Sequence, residues 1–188
     1  MSNEFSSGFP LYKPWAGWYN SSMIVIGIDP GTRELGYGVV AKGGGRLRFV
    51  ACGNLSMPSQ EPLSRRLEQL YEGLQEIIRK WKPLALAVER PFFAKNAKIT
   101  MKLGEVLGIV ALVSAKEGVE VYEYAPGEVK GAVTGNGAAS KGQVQRMVQE
   151  ILGLEGIPDS PDAADALAVA ICHHMTPLKR QLSNIQSP

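Results

Sequence analysis

The chain has 188 residues, a length that fits one domain with a well-filled core and excludes a large multidomain enzyme. Its hydrophobic fraction of 45% and charged fraction of 20% are typical of globular proteins and exclude a disordered chain. With 20 Lys and Arg residues against 18 Asp and Glu, the net charge is +2, so any nucleic-acid surface has to be a local basic patch. Two distant cysteines exclude a disulfide framework, and no apolar run spans a bilayer, so we expect a soluble, cytoplasmic protein without membrane contact.

The two ends of the chain lack the apolar periodicity of folded elements. Residues 1–22 mix Ser, Gly, Pro and aromatic residues without a strand or helix period. Residues 176–188 are mostly polar and have a proline near each end. We therefore predict a flexible N-terminal extension over 1–22, a folded domain over 23–175 and a C-terminal tail over 176–188.

The first half of the predicted domain begins with three strand patterns. The runs MIVIGID, GYGVVAK and GRLRFVACGNL are rich in β-branched and apolar residues and are separated by glycine-containing breaks. This spacing indicates three antiparallel strands joined by hairpins. From Pro62, apolar residues recur every three or four positions, which predicts an amphipathic helix that ends at Lys82 and Pro83.

The second half alternates strands and helices. The run LALAVE is typical of a buried strand, and the range 97–116 is typical of a helix. The run VEVYEYA is typical of a fifth strand. A capping-box spacing at Ser140 begins a third helix, and the pair Ser160 and Pro161 begins a fourth, Ala-rich one. The order βββαβαβαα predicts an α/β fold: a mixed five-stranded sheet with helices on both faces.

Four carboxylates lie at positions that a core normally rejects. Asp29 and Glu89 each end an apolar strand, and Asp162 and Asp165 share one face of the first turn of the last helix. Together they make the oxygen-rich site that Mg²⁺ or Mn²⁺ prefers, and two such ions support phosphodiester hydrolysis. Each carboxylate alone has a structural explanation: an Asp-Pro-Gly turn, a helix-dipole contact or an ion pair. The complete set therefore carries the prediction.

Four stretches of the chain resemble, in order and spacing, the RuvC family of Holliday-junction resolvases: IGIDPGTRELGYGVV, AVERPFFAKNAKITMKLGEVLGIV, YAPGEVKGAVTGNGAASKGQVQRMV and DAADALAVAICHH. The resemblance runs from about Met23 to His174. It implies a ribonuclease-H-like fold and a homodimeric, Mg²⁺-dependent endodeoxyribonuclease that nicks two symmetrically placed strands of a four-way junction in recombination and repair. The family's acidic ligands map onto the same four carboxylates, Asp29, Glu89, Asp162 and Asp165.

The same resemblance implies further properties of the site and its partners. It implies two Mg²⁺ ions per active site, for which Mn²⁺ substitutes, 5′-phosphate products, and a RuvA-RuvB branch-migration complex as partner. Asp162 matches a position where some members carry His, which leaves its role open between metal ligand and general base. The helix over 97–116 matches the family's dimer contact.

Basic and aromatic residues are candidates for DNA contacts. Lys130 and Lys141 match family lysines near the scissile phosphate, where a fixed ammonium offsets developing charge. Phe92 matches a family aromatic that stacks on an unpaired base, whereas we assign Phe93 to the core. A second basic cluster is predicted to hold backbone phosphates: Arg90, Lys95, Lys98 and Lys102.

Other classes of protein share parts of these patterns. IGIDPGT also resembles the first phosphate loop of actin-like ATPases and sugar kinases, but 188 residues leave no second domain to close a nucleotide cleft. A related nuclease acting on RNA and a catalytically silent junction-binding protein are further alternatives, and the intact set of four carboxylates argues against the last. His173 lies three helical turns beyond Asp162 and is predicted to be packed or exposed rather than a metal ligand.

Overall fold

A mixed five-stranded sheet forms the centre of the computed structural model, which describes residues 23–90, 97–156, 158 and 160–177. Its strand order is β3-β2-β1-β4-β5. The first three strands pair antiparallel as a meander, and β4 and β5 continue the sheet parallel to β1. The strands are β1 (Met23–Pro30), β2 (Glu34–Gly43), β3 (Arg46–Ser56), β4 (Ala85–Glu89) and β5 (Glu120–Tyr124).

Helices cover both faces of this sheet and divide the core into two clusters. The helices are α1 (Leu63–Trp81), α2 (Ala97–Glu117), α3 (Pro126–Thr134), α4 (Lys141–Leu152) and α5 (Pro161–Met175). The first cluster joins the sheet to α1 and α2, and the second joins its other face to α3, α4 and α5. In the part of the chain that the structure describes, none of the helices is long and apolar enough to cross a membrane.

The structure confirms the five predicted strands and the four predicted helices, but it adds α3, which we did not predict. Two glycines, Gly127 and Gly131, lie within this helix and lower its intrinsic propensity. The helix is instead stabilised at its start, where Pro126 occupies the first turn and the Glu128 carboxylate accepts a hydrogen bond of 2.7 Å from the Ala125 backbone N–H. The Pro-x-Glu spacing was the available signal.

The two cysteines differ in burial. Cys172 on α5 is 1% exposed, whereas Cys52 on β3 is partly exposed. Neither of the two forms a disulfide in the described structure.

Candidate active site

The ends of two neighbouring strands bring the first two carboxylates to one edge of the sheet. β1 and β4 pair in parallel, with Ile28 opposite Val88, so the next residues, Asp29 and Glu89, lie side by side where the strands end. Parallel strands that end together place their carboxyl ends at the same edge. The topology therefore makes this edge the place where a third element can complete a site.

Helix α5 supplies the other two carboxylates because glycines let it lie directly on the sheet. Gly36 pairs with Asp29 and Gly38 pairs with Gly27 across β1 and β2. A Cβ atom on Gly36 would overlap the Asp162 carbonyl group, and one on Gly38 would lie 2.6 Å from the Leu167 nitrogen. A side chain on either residue would therefore push the helix away from Asp29.

Sequence reasoning missed this glycine contact. Gly36 and Gly38 are two residues apart on one strand and so face the same side of the sheet, which was the available signal. A G-x-G pair in an apolar strand marks close approach of another backbone.

The helix brings Asp162 and Asp165 to Asp29. One carboxylate oxygen from each of these three residues lies within 4.8 Å of the others. Glu89 lies outside that group of three, but its charge raises the pKa of Asp29, and the charge of Asp165 raises the pKa of Glu89. The structure thus brings three of the predicted ligands together directly and places the fourth within electrostatic reach.

Burial and mutual repulsion make this cluster unfavourable without a cation. Desolvation, followed by the charges of Glu89, Asp165 and Asp162, raises the pKa of Asp29 to about 7. Desolvation also raises the pKa of Glu89. A divalent cation would offset the desolvation and the repulsion together, and its preferred ligands are carboxylate oxygens. The donor set therefore fits a hard divalent metal ion.

Two lysines border the carboxylates. The Lys141 ammonium, at the start of α4, donates a hydrogen bond of 2.6 Å to Oδ2 of Asp165, which raises the pKa of Lys141. The capping box of Ser140 and Gln143 holds this end of α4, as predicted. The positive charge of Lys130, on α3, lowers the pKa of Glu89 and so opposes the rise that burial causes. Both predicted lysines thus lie within electrostatic reach of the acidic cluster.

Comparisons with known proteins identify the family of the chain. The family model for the crossover junction endodeoxyribonuclease RuvC matches residues 25–173. The RuvC of Natranaerobius thermophilus is 47% identical over 151 residues, which are 80% of this chain and 94% of that protein. The RuvC of Chloroflexus aggregans is 49% identical over 154 residues, or 82% and 94% of the two chains. The chain belongs to the RuvC family.

Solved structures agree with this assignment. Thermus thermophilus RuvC in complex with a Holliday junction substrate is 37% identical, covers 87% of this chain and 98% of that chain, and superposes with a TM-score of 0.79. The yeast mitochondrial resolvase Ydc2, at 14% identity and a TM-score of 0.61, shares the fold. The predicted ribonuclease-H-like fold and nuclease class are confirmed, and neither the actin-like nor the RNA-directed alternative is favoured.

The residues predicted to bind DNA differ in exposure and in ion pairing. Lys98 and Lys102 are exposed in the first turns of α2. Arg90 lies 4.0 Å from Glu123 and 3.9 Å from Glu128, so part of its charge is used in bridging β4 to β5 and α3. Phe92, Phe93 and Lys95 lie outside the described residues.

His173 is buried, as the packed alternative of the prediction requires. Its Nδ1 lies 2.8 Å from the Tyr124 hydroxyl. Desolvation, with a smaller contribution from His174, lowers the pKa of His173 to about 4, so the ring is neutral at physiological pH. The contact joins α5 to β5 within the core rather than adding a ligand to the carboxylate cluster.

Proposed function

We propose that the protein is a structure-selective endodeoxyribonuclease that resolves four-way DNA junctions by paired, symmetrical nicks. The observation that carries this proposal is the convergence of Asp29, Asp162 and Asp165 within 4.8 Å, bordered by Lys141, in a chain of the RuvC family. The relative from Thermus thermophilus, in complex with a Holliday junction substrate, supports four-way DNA as the substrate. The products are nicked duplexes with 5′-phosphate ends.

We assign the four carboxylates as ligands of two Mg²⁺ ions, for which Mn²⁺ substitutes. Asp29, Asp162 and Asp165 are close enough to share an ion. Glu89, at the end of β4, is assigned as a ligand on the β4 side of the site. When bound, such ions supply the Lewis-acid chemistry that activates water and stabilises the leaving oxygen of a phosphodiester. Asp162 is assigned as a ligand rather than as a general base because it belongs to the close group of three.

The lysines complete the charge balance of the site. Lys141 stays protonated because Asp165 stabilises its ammonium. A cation fixed at this position offsets negative charge that develops on the scissile phosphate. Lys130 has the same assigned role on the side of Glu89. Both act by holding charge at a fixed position, so neither has to transfer a proton.

Calorimetric titration of Mg²⁺ and Mn²⁺ tests the metal assignment. We expect two equivalents per protomer for the wild-type protein and loss of at least one equivalent in Asp165→Asn, because this variant removes one charged oxygen donor. Glu150→Gln is the matched control, since Glu150 is an exposed carboxylate on α4 away from the close group of three. Equal binding by Asp165→Asn and the wild-type protein would contradict the assignment.

We assign the predicted basic and aromatic residues to the DNA interface. The exposed positions of Lys98 and Lys102, on one helix that follows the strand end carrying Glu89, support a backbone-phosphate contact. Partial exposure of the Arg90 side chain, 55%, is compatible with a contact alongside its ion pairs. The full assigned set is Phe92, Arg90, Lys95, Lys98, Lys102, Lys130 and Lys141.

Removal of one phosphate contact should change the salt dependence of junction binding. For Lys102→Ala we expect weaker binding and a slope of log K against log salt that is smaller by about 1, because one fewer counterion is released. Binding titrations at several salt concentrations measure this slope. Lys80→Ala is the control, because Lys80 lies on α1 and contacts the Trp81 ring there. An unchanged slope in Lys102→Ala would remove Lys102 from the interface.

An exposed face of α2 supports the proposed homodimer. Met101, Gly104, Gly108 and Leu112 recur at three- and four-residue steps, and a Cβ added at either glycine would meet open space. Met101 is 69% exposed and Leu112 is 48% exposed. By contrast, Val106, Val110 and Val113 are buried in the first core cluster, so this face of α2 serves the fold. We propose that the exposed face pairs with its symmetry mate and sets two active sites on opposite strands.

A charged residue on this face should separate the dimer. We expect Leu112→Glu to sediment as a monomer, because two buried carboxylates would face each other across a two-fold axis. The monomer should keep its metal ions and lose coordinated nicking. Leu84→Glu is the matched control, because Leu84 is 64% exposed, directly precedes β4 and is not part of α2. A wild-type protein that sediments as a monomer, or a dimeric Leu112→Glu, would overturn the interface.

Three broader assignments rest on family membership and composition. The matched residues 25–173 support a nuclease domain over 23–175, with an extension over 1–22 and a tail over 176–188. Family membership supports a RuvA-RuvB branch-migration partner. A DNA-repair nuclease in which Cys52 and Cys172 form no disulfide is suited to the reducing cytoplasm.

A further inference from the structure

Asn54 on β3 lies beside the point where α5 begins. It pairs with Gly36 in the sheet register, and directly opposite residues of neighbouring strands project to the same face. That face is the one on which α5 packs, since the Asp162 backbone lies on Gly36. Because Gly36 has no side chain, the Asn54 amide reaches past it to the start of the helix.

The Asn54 side chain is hydrogen bonded to the residue that caps α5. Its Nδ2 donates to Oγ of Ser160 at 2.7 Å, and the Ser160 hydroxyl lies 2.9 Å from Asn54 Oδ1. Ser160 Oγ also accepts the Ala163 backbone N–H at 3.4 Å, which is the helix-capping contact. The Asn54 amide thus holds the cap of a helix that is 106 residues away in sequence.

The amide itself is fixed from the sheet side. Asn54 Nδ2 also donates to Oε2 of Glu34 on β2 at 2.7 Å. The chain from Glu34 through Asn54 to Ser160 therefore connects two strands to the N-cap of α5. Ser160 precedes Asp162, in the first turn of α5, by two residues, and Asp165 follows three residues further along the helix.

We propose that Asn54 is a positioning residue that, through Ser160, fixes the first turn of α5 so that Asp162 and Asp165 meet Asp29. Gly36 sets how closely the helix approaches the sheet, and Asn54 sets where its first turn lies along the sheet. Polar groups that orient metal ligands in this way contribute to affinity without touching the metal. This inference rests on the proposed metal-dependent function.

Two measurements on Asn54→Ala test the proposal. The first is the Mn²⁺ dissociation constant by calorimetry, which we expect to rise about 10-fold, as for other residues that orient ligands. The second is hydrogen exchange in the metal-free protein, where we expect faster exchange at the Ala163 and Ala164 amides, both of which bond to Ser160. Ser160→Ala should reproduce both effects, and the double variant should add little, because the two residues share one interaction. Ser160→Thr, which keeps the hydroxyl, should restore both.

Thr176→Val separates positioning from general destabilisation. Thr176 caps the far end of the same helix, where its hydroxyl donates to the Cys172 carbonyl at 2.8 Å. This variant should lower Tm while leaving the Mn²⁺ constant and the exchange of Ala163 and Ala164 unchanged. Unchanged exchange in Asn54→Ala, or an unchanged Mn²⁺ constant, would overturn the proposal. Failure of the wild-type protein to bind Mn²⁺ would instead overturn the proposed function, and the exchange data alone would then decide the role of Asn54.

Discussion

Asp29→Asn is expected to abolish junction cleavage and at the same time to stabilise the metal-free protein at neutral pH. Asp29 belongs to the close group of three carboxylates, and loss of one fixed electrostatic group from an active site costs on the order of 10³-fold in rate. The stability gain has a separate cause. Desolvation and three neighbouring carboxylates raise the pKa of Asp29 from 3.8 to about 7 in the folded protein.

The sign of the pH dependence follows from this raised pKa. Between pH 3.8 and about 7 the unfolded chain has released the Asp29 proton while the folded protein retains it. Within this window the folded protein binds one more proton than the unfolded chain, so the free energy of unfolding of the metal-free protein falls as pH rises. The fall is complete once Asp29 is ionised in both states. Glu89, whose pKa is also raised, adds to the fall. The amide that replaces the carboxyl group in Asp29→Asn carries no charge, so the variant should show a shallower decline.

Thermal unfolding in EDTA from pH 4 to pH 8 measures this difference. The wild-type protein and Asp29→Asn should have similar Tm at pH 4 and should diverge as pH rises, with the variant more stable at pH 8. Saturating Mg²⁺ should stabilise the wild-type protein and reduce the gap, because only the folded state holds the carboxylates together. An Asp29→Asn variant that is less stable than the wild-type protein at pH 8 would show that the cluster is not under electrostatic stress.

Gly36→Ala should damage the site without removing any ligand. The added Cβ would overlap the Asp162 carbonyl group and lie 3.0 Å from the Asp162 Cβ, so the first turn of α5 must move. Overpacking of this kind costs about 1–3 kcal/mol in stability. Asp162 and Asp165 should both shift with this end of the helix. The losses in Mg²⁺ affinity and cleavage rate, expressed as free energies, should therefore exceed the loss in the free energy of unfolding. Unfolding in urea, calorimetry and cleavage rates measure the three effects.

Gly142→Ala is the matched control for that substitution. Gly142 lies in α4, and a Cβ added there meets nothing within 4 Å. The change should raise stability slightly, by about 0.5–1 kcal/mol, because alanine is the better helix former. A Gly36→Ala protein that binds Mg²⁺ as tightly as Gly142→Ala would contradict the role of the glycine contact in placing the carboxylates.

The parts of this fold that follow local rules could be predicted from the sequence. Apolar runs identified the strands, and the three- and four-residue spacing identified α1 and α2. Side-chain caps identified the starts of α4 and α5, since Ser140 and Ser160 both accept backbone N–H groups as expected. Helix α3 was missed because its N-cap residue is Ala125 and the helix contains two glycines.

The chemistry of the site was predictable, but its assembly was not. Four carboxylates at strand and helix ends indicated a metal site because isolated buried charges are costly. The contacts that bring them together depend on the register between distant elements. Lys141 beside Asp165 and Asn54 beside Ser160 are such contacts, and no local pattern encodes them. The glycine contact at Gly36 had a local signal, the G-x-G pair, but that signal does not say which element lies on the glycines.

Cleavage of a synthetic four-way junction, with each strand labelled in turn, tests the proposed function most directly. In Mg²⁺ the wild-type protein should nick one pair of opposing strands at symmetrical positions, and the nicked products should be sealed by ligase. EDTA and Asp29→Asn should abolish the nicks, and linear duplex DNA should remain intact. A junction that the wild-type protein binds but leaves uncut across varied crossover sequences would contradict the assignment as a resolvase, as would metal-independent cutting.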